Sequence, residues 1–296
     1  MYSTAAALSS AETRHKENSF RQFYEGYAQI VCNVVDRDPA RRYPEPWFID
    51  LTAGSGVNRL PDGEVIAGSP LIWQQTHLAL GHRASGCFIE RDERDAEELQ
   101  LRLIDGELTA DGDRPLTCWT WVLAGDHETY APRVAAAICR DMQRVHKTPY
   151  GLVYADPNHG RVPLAGFAPF VGDPLFARMD YLVYIAANGA YKRARGHAQH
   201  NGDGRLAHRA EVYLQDDLDA LHKQYTWVRR PRTNQQWTFV LLSNYSGLHG
   251  PDARNWISSQ RPEFGAVMRQ LNLHKNEQAA ELYASNLWDV EADDDA

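Results

Sequence analysis

Four short stretches of the chain carry residues whose types and spacing could do chemistry. The sharpest reads Tyr154-Ala155-Asp156-Pro157-Asn158-His159-Gly160 and follows directly on a short apolar run. An Asp-Pro step there sets a carboxylate and, one residue on, a backbone carbonyl in a proline-stiffened turn. Both groups are acceptors for an N–H donor, although Asp-Pro-Asn is also a good turn sequence with no chemistry attached. The earliest stretch, Asp50-Leu51-Thr52-Ala53-Gly54-Ser55-Gly56, holds two glycines that permit positive φ and let a ligand approach the backbone closely. An ordinary strand-ending turn would use the same residues. Glu90 closes the next apolar run and could accept from the two hydroxyls of a ribose, or could be a surface carboxylate beside Arg91 and Arg94. Asp126, after Gly125, could accept from an adenine amino group or could cap the helix that follows.

These stretches matter together because of the elements that hold them. Short apolar runs alternate with longer helical patterns from Trp47 onward, the signature of a mostly parallel sheet covered by helices. The strands expected are Trp47 to Thr52, Gly86 to Glu90, Thr117 to Ala124, Gly151 to Ala155 and Tyr181 to Ala186, with helices Ser69 to Leu80, Glu93 to Ile104 and Glu128 to Val145 between them. A helix near Ala210 to His222 precedes two further strands, Tyr225 to Val228 and Trp237 to Leu242, joined by a hairpin-length connection. The expectation is therefore a doubly wound α/β domain whose seven strands end in an antiparallel pair. In open sheets of this kind ligands bind beyond the carboxyl ends of the strands, which is where all four stretches fall.

The layout expected along the chain is an N-terminal helical cap over 1–46, a core over 47–245 with a basic insertion at 188–209, a C-terminal helical segment over 246–287 and an acidic tail over 288–296. The formal charge of the 296 residues is −8, which excludes a uniformly basic nucleic-acid coat. Five of those negative charges come from Asp289, Glu291, Asp293, Asp294 and Asp295, so the excess is concentrated at one end. Cys32, Cys87, Cys118 and Cys139 form no CxxC pair and read as reduced core residues. No run is long and apolar enough for a membrane span, and the N-terminus lacks a signal-peptide pattern, so the chain reads as cytoplasmic with no membrane partner.

Taken in order, FIDLTAGSGVNRLPDGEVIAGSPL, CFIERD, the Gly-Asp at 125–126 and LVYADPNHG resemble the class I S-adenosylmethionine-dependent methyltransferases. More narrowly, the chain is similar to the three-Cys-motif partner proteins and to adenine-specific DNA methyltransferases with an Asp-Pro-Pro-Tyr motif, over roughly residues 10 to 190. The resemblance implies a Rossmann-like methyltransferase fold with S-adenosylmethionine as cofactor. It places Asp50, Ala53, Gly54 and Gly56 about the methionine part, Glu90 on the ribose and Asp126 on the adenine. Asp156 and the Pro157 carbonyl would then receive the amine of a nucleobase. The sequence departs from the DNA-enzyme motif in having Asn158 for the second proline and His159 where an aromatic ring would stack. A dinucleotide enzyme fits less well, because A-G-S-G is not the full G-x-G-x-x-G pattern and Asp156-Pro157 would have no task.

Between 188 and 209, Lys192, Arg193, Arg195, Arg205 and Arg209 face Asp203 alone, with Tyr191 interleaved. Such a segment could steer a polyanion to the site, or could be an ordinary solvated loop. His197, His200 and His208 lie on no fixed face, and no carboxylate or cysteine completes a set, so no metal is expected. Ser55 and Ser69 lack a G-x-S-x-G elbow. The activity expected is methyl transfer to an exocyclic nucleobase amine, foremost adenine in DNA. The alternatives are an RNA-directed enzyme and a non-catalytic nucleotide-binding or interaction subunit of a defence or DNA-modification system, with a partner protein.

Overall fold

The computed structural model describes residues 10–40, 42–43, 45–108, 117–157, 162–186, 210–231, 237–248 and 252–270. Strands buried on both faces must be nearly continuous apolar runs, and the sheet is built from such runs: β1 (Pro46–Asp50), β4 (Ala84–Glu90), β5 (Thr117–Ala124), β6 (Tyr150–Ala155) and β7 (Met179–Ala186). A small hairpin, β2 (Val57–Arg59) and β3 (Val65–Ala67), follows β1. The helices are α1 (Ser10–Arg37), α2 (Ser69–Leu80), α3 (Glu93–Leu108), α4 (His127–Val145), α5 (Leu164–Val171), α6 (Ala210–Asp219) and α7 (Glu263–Gln270). Strands β8 (Tyr225–Arg229), β9 (Trp237–Ser243) and β10 (Trp256–Ser258) complete the main sheet.

Its strand order is β10-β8-β9-β7-β6-β1-β4-β5. Strands β1, β4, β5, β6 and β7 run parallel to their neighbours among themselves, whereas β9 is antiparallel to both β7 and β8. From β1 the chain first builds outward to β4 and β5, then returns to build the other way through β6 and β7. The order thus reverses between β1 and β6, whose carboxyl ends lie side by side with Asp50 opposite Tyr154. This reversal is the crevice where open α/β sheets take ligands.

The main sheet has eight strands, not the seven expected. The addition is β10, which pairs Trp256 with Arg229 and Ile257 with Val228 antiparallel to β8. Three residues among polar neighbours give no periodic signal, and β10 exists through its partner strand. The hairpin inside the glycine-rich segment was likewise unexpected.

Alternation along the strands splits the core in two. Trp47, Ile49, Val153 and Val183 face α4 to α7, meeting Val134, Ile138, Phe167, Phe170, Leu218 and Phe264. Phe48, Phe88, Leu152, Tyr154 and Tyr184 face Phe20, Phe23, Tyr24 and Ala28 of α1 and Ile72 and Trp73 of α2. Phe20 is wedged among Phe48, Tyr154 and Phe239, and burying a ring of that size stabilises by about 1.5–3 kcal/mol. Helix α1 is thus bound to the sheet along its length, which carries its first turns up to the β1–β6 crevice. Residues 188–209 and 271–296, which hold the basic insertion, the last part of the expected C-terminal helical segment and the acidic tail, lie outside the described residues. No described helix is long and apolar enough to cross a membrane.

Candidate functional site

Asp156 is the first residue beyond β6, and its backbone N–H donates to Thr52 Oγ1 at 2.7 Å, tying the ends of β6 and β1 together. Its side chain is held from α1: Lys16 Nζ lies 2.6 Å from Asp156 Oδ2 and 3.2 Å from Glu17 Oε1. Glu17 Oε1 also accepts from Asn58 Nδ2 of β2 at 3.0 Å, and the Lys16 ammonium stands 5.2 Å from the centre of the Tyr184 ring. Burial works against the Lys16 charge, but the carboxylates of Asp156 and Glu17 outweigh it and raise its pKa. Burial pushes the Glu17 carboxyl up, against the pull of Lys16. Asp156 Oδ1 is buried and has no hydrogen-bond partner among the described residues. A buried acceptor left in that state is costly.

The glycine turn lies next to it. Gly54 and Gly56 have φ of +63° and +82°, a region that L side chains avoid. A Cβ at Gly54 would meet nothing within 4 Å, so the backbone there borders open space. Gly54 N–H donates to Glu90 Oε2 at 2.8 Å, and Asp92 N–H to Glu90 Oε1 at 2.8 Å. Glu90 is therefore drawn onto the turn, with one further acceptor position on each oxygen. Ala53 N–H donates to the Ile89 carbonyl and Gly125 N–H to the Glu90 carbonyl, so the ends of β1, β4 and β5 are stitched into one edge.

Two expected ligand residues have tasks within the fold. Asp50 is fully buried, accepting from Thr52 N–H at 2.9 Å and Ser69 Oγ at 2.6 Å. It shapes the turn from beneath. Burial lifts its pKa to about 7, against the hydrogen bonds from Ser69 and Thr52. Asp126 caps α4, its Oδ1 accepting from Glu128 N–H at 2.8 Å. Its side chain is 46% exposed, so Oδ2 still faces solvent.

The structure thus brings Ala53, Gly54, Gly56, Glu90, Asp126, Asp156 and Pro157 to one edge of the sheet. Asn158, His159, Tyr191, Lys192, Arg193, Arg195, Arg205 and Arg209 lie outside the described residues. Sequence reasoning missed Lys16, Glu17, Thr52, Asn58 and Ser69. For Lys16 a signal existed, since it lies four residues before Phe20 on the apolar face of α1, where a charge needs a partner. A cavity of about 1010 Å3 lined by Tyr27, Tyr43, Tyr150, Arg178 and Tyr245 opens at the opposite edge, near the first residues of β6 and β7, and includes none of the site residues.

No family model matches the chain, and no curated protein sequence matches it. Among solved structures it is similar to a geranyl diphosphate methyltransferase in complex with GPP and sinefungin, at 11% identity and a TM-score of 0.31 over 81% of this chain and 85% of that one.

Proposed function

We propose that the chain is an S-adenosylmethionine-dependent methyltransferase acting on the exocyclic amine of a nucleobase, foremost adenine in DNA. One observation carries the reading: the buried carboxylate oxygen Asp156 Oδ1 has no donor among the described residues, and Asp156 stands at the β1–β6 crevice beside a glycine turn that borders open space. The turn fits the cofactor, because the unhindered backbone at Gly54 admits close approach, Glu90 stands over it to receive ribose hydroxyls, and Asp126 Oδ2 is free to receive an adenine amine.

When bound, S-adenosylmethionine supplies a sulfonium methyl group. A nucleobase amine is a poor nucleophile because its lone pair is delocalised into the ring. Asp156 Oδ1 and the Pro157 carbonyl each accept one N–H bond, which favours a pyramidal nitrogen with its lone pair turned towards the cofactor side, and positioning does much of the rest. The 2.6 Å contact of Lys16 with Oδ2 fixes the carboxylate's rotation, so Oδ1 keeps its aim. The base must leave a duplex or come from a single strand. The positive charges of Lys192, Arg193, Arg195, Arg205 and Arg209, with the Tyr191 ring among them, suit a nucleic-acid partner, and Asn158 and His159 are the residue types for a base edge and face. The finer likeness to the three-Cys-motif partner proteins and the Asp-Pro-Pro-Tyr enzymes belongs to this same reading.

The Lys16 pair also favours a second reading, a non-catalytic nucleotide-binding subunit, because it already neutralises the carboxylate. A methyl-transfer assay with labelled S-adenosylmethionine on mixed DNA and RNA separates the two, with mass analysis of the digested nucleosides to name the base. Methylated adenine from DNA is expected. Binding by calorimetry without transfer would leave the second reading, and no binding would remove both the cofactor and the enzyme.

A further inference from the structure

At the opposite end of α1 and α2 from Asp156, side chains converge on a single point. Cys32 is buried on α1, His77 is buried in the last turn of α2, and His82 follows the turn that ends α2. One ligand atom from each lies within 4.8 Å of the other two. Cys32 Sγ is 3.9 Å from His77 Nδ1. Asp36, one turn beyond Cys32, sets Oδ1 2.9 Å from His82 Nε2.

The remaining nitrogen of each imidazole is already committed. His77 Nε2 is 3.1 Å from Tyr24 Oη, and His82 Nδ1 is 2.8 Å from the Arg83 carbonyl, which can only accept. An Nδ1–H on His82 leaves Nε2 with the lone pair, and an Nε2–H on His77 leaves Nδ1 with it. His77 is thus oriented by one nitrogen and offers the other to Cys32, and His82 is oriented by Nδ1 and would turn Nε2 from its contact with Asp36 to a metal, the outer hydrogen bond on each ring being what metal-ligating histidines require.

We propose that Cys32, His77 and His82 bind a zinc ion, with Asp36, which stands outside that trio with its side chain 63% exposed, turning in from its contact with His82 as the fourth ligand. A sulfur, two nitrogens and an oxygen suit Zn2+ in a closed tetrahedral, structural site. At usual bond lengths of about 2.3 Å to sulfur and 2.1 Å to nitrogen, two such ligands stand roughly 3.6 Å apart, so the Cys32–His77 gap has little to close. On binding, the Cys32 thiol releases its proton to solvent as the sulfur–zinc bond forms, and nothing is oxidised or reduced. The ion joins α1 to α2. Lys16 lies sixteen residues before Cys32, about 24 Å up the same helix, so the staple fixes from below the helix that holds Asp156 from above. The site is independent of the proposed methyl transfer.

The test uses the full chain without a histidine tag, under reducing conditions, titrated with Zn2+ and with Co2+. One equivalent of either is expected, with Co2+ giving the thiolate charge-transfer band and the visible bands of a tetrahedral site, and with Zn2+ raising the unfolding temperature. Cys32→Ser removes the charge-transfer band, whereas Cys139→Ser leaves it. His82→Gln, at a position only partly buried, weakens binding at least tenfold, and Tyr24→Phe about tenfold through the lost outer hydrogen bond. Failure to take up one equivalent, or uptake and spectra unchanged in both Cys32→Ser and His82→Gln, overturns the proposal.

Discussion

The Lys16 ammonium and the Asp156 carboxylate, 140 residues apart in the chain, form a 2.6 Å ion pair with side chains only 10% and 15% exposed. Removing one partner of a buried pair leaves the other charged and unsatisfied, at a cost of about 3–5 kcal/mol. Lys16→Met should therefore lower stability by about 3 kcal/mol in urea unfolding, since it strands Asp156 beside Glu17. Lys16→Met combined with Asp156→Asn should cost clearly less than the two single losses added. Additive losses would mean that the two groups do not act as a pair.

The two glycines of the turn should separate ligand binding from folding. Gly54 and Gly56 both have positive φ, so either alanine variant bears about 1–2 kcal/mol of backbone strain. Only at Gly56 does the new Cβ also strike the core, at 2.8 Å from Leu99 Cδ1. Gly56→Ala should accordingly lose markedly more in thermal unfolding than Gly54→Ala. Gly54→Ala should instead weaken S-adenosylmethionine binding by calorimetry, because its methyl enters the space the cofactor would use. Unchanged affinity in that variant would remove the turn from the site.

What could be read in advance follows from locality. GCFIE, LVYA and YLVYIA are legible as strands because a strand buried on both faces has to be apolar throughout, and the residue after each run is then placed by topology. Asp156, Glu90 and Gly54 come from that logic. The bond from Gly54 N–H to Glu90 and the bonds that take Asp50 inward depend on how two strand ends are spaced, which no single segment encodes. Lys16 escaped notice because its one sign is a charge on an apolar helix face, and its partner lies 140 residues away. Cys32, His77 and His82 look like isolated core residues until α1 and α2 are laid side by side.

Asp50 gives the fold a definite pH dependence. Burial raises its pKa from the ordinary 3.8 to about 7, so the folded chain keeps a proton that the unfolded chain releases near pH 4. Stability from the protonated group is whole below about pH 4 and is lost as pH rises through about 7. Asp50→Asn can still accept from Thr52 N–H and does not titrate. The stability of the native chain relative to this variant should decline steadily from pH 4 to pH 7 and be level above. A difference that stays level across that interval would show the buried carboxyl to be ionised throughout.

Asp252 should decide whether β10 stays in the sheet. Its carboxylate lies against the guanidinium of Arg229 on β8, with Nε at 3.2 Å from Oδ2, and it accepts from Trp256 Nε1 of β10 at 2.8 Å. Arg229 is only 4% exposed, so Asp252→Ala leaves a buried cation and a buried indole N–H without their acceptor, a loss of about 3–5 kcal/mol. Asp252→Asn keeps an acceptor for the indole and should cost less. Because β10 covers the outer edge of β8, the alanine variant should also speed amide exchange along Tyr225–Arg229. Exchange at Ala53 and Asp156, across the sheet, should stay as it was, whereas equal acceleration at both edges would mean that the sheet opens as one unit.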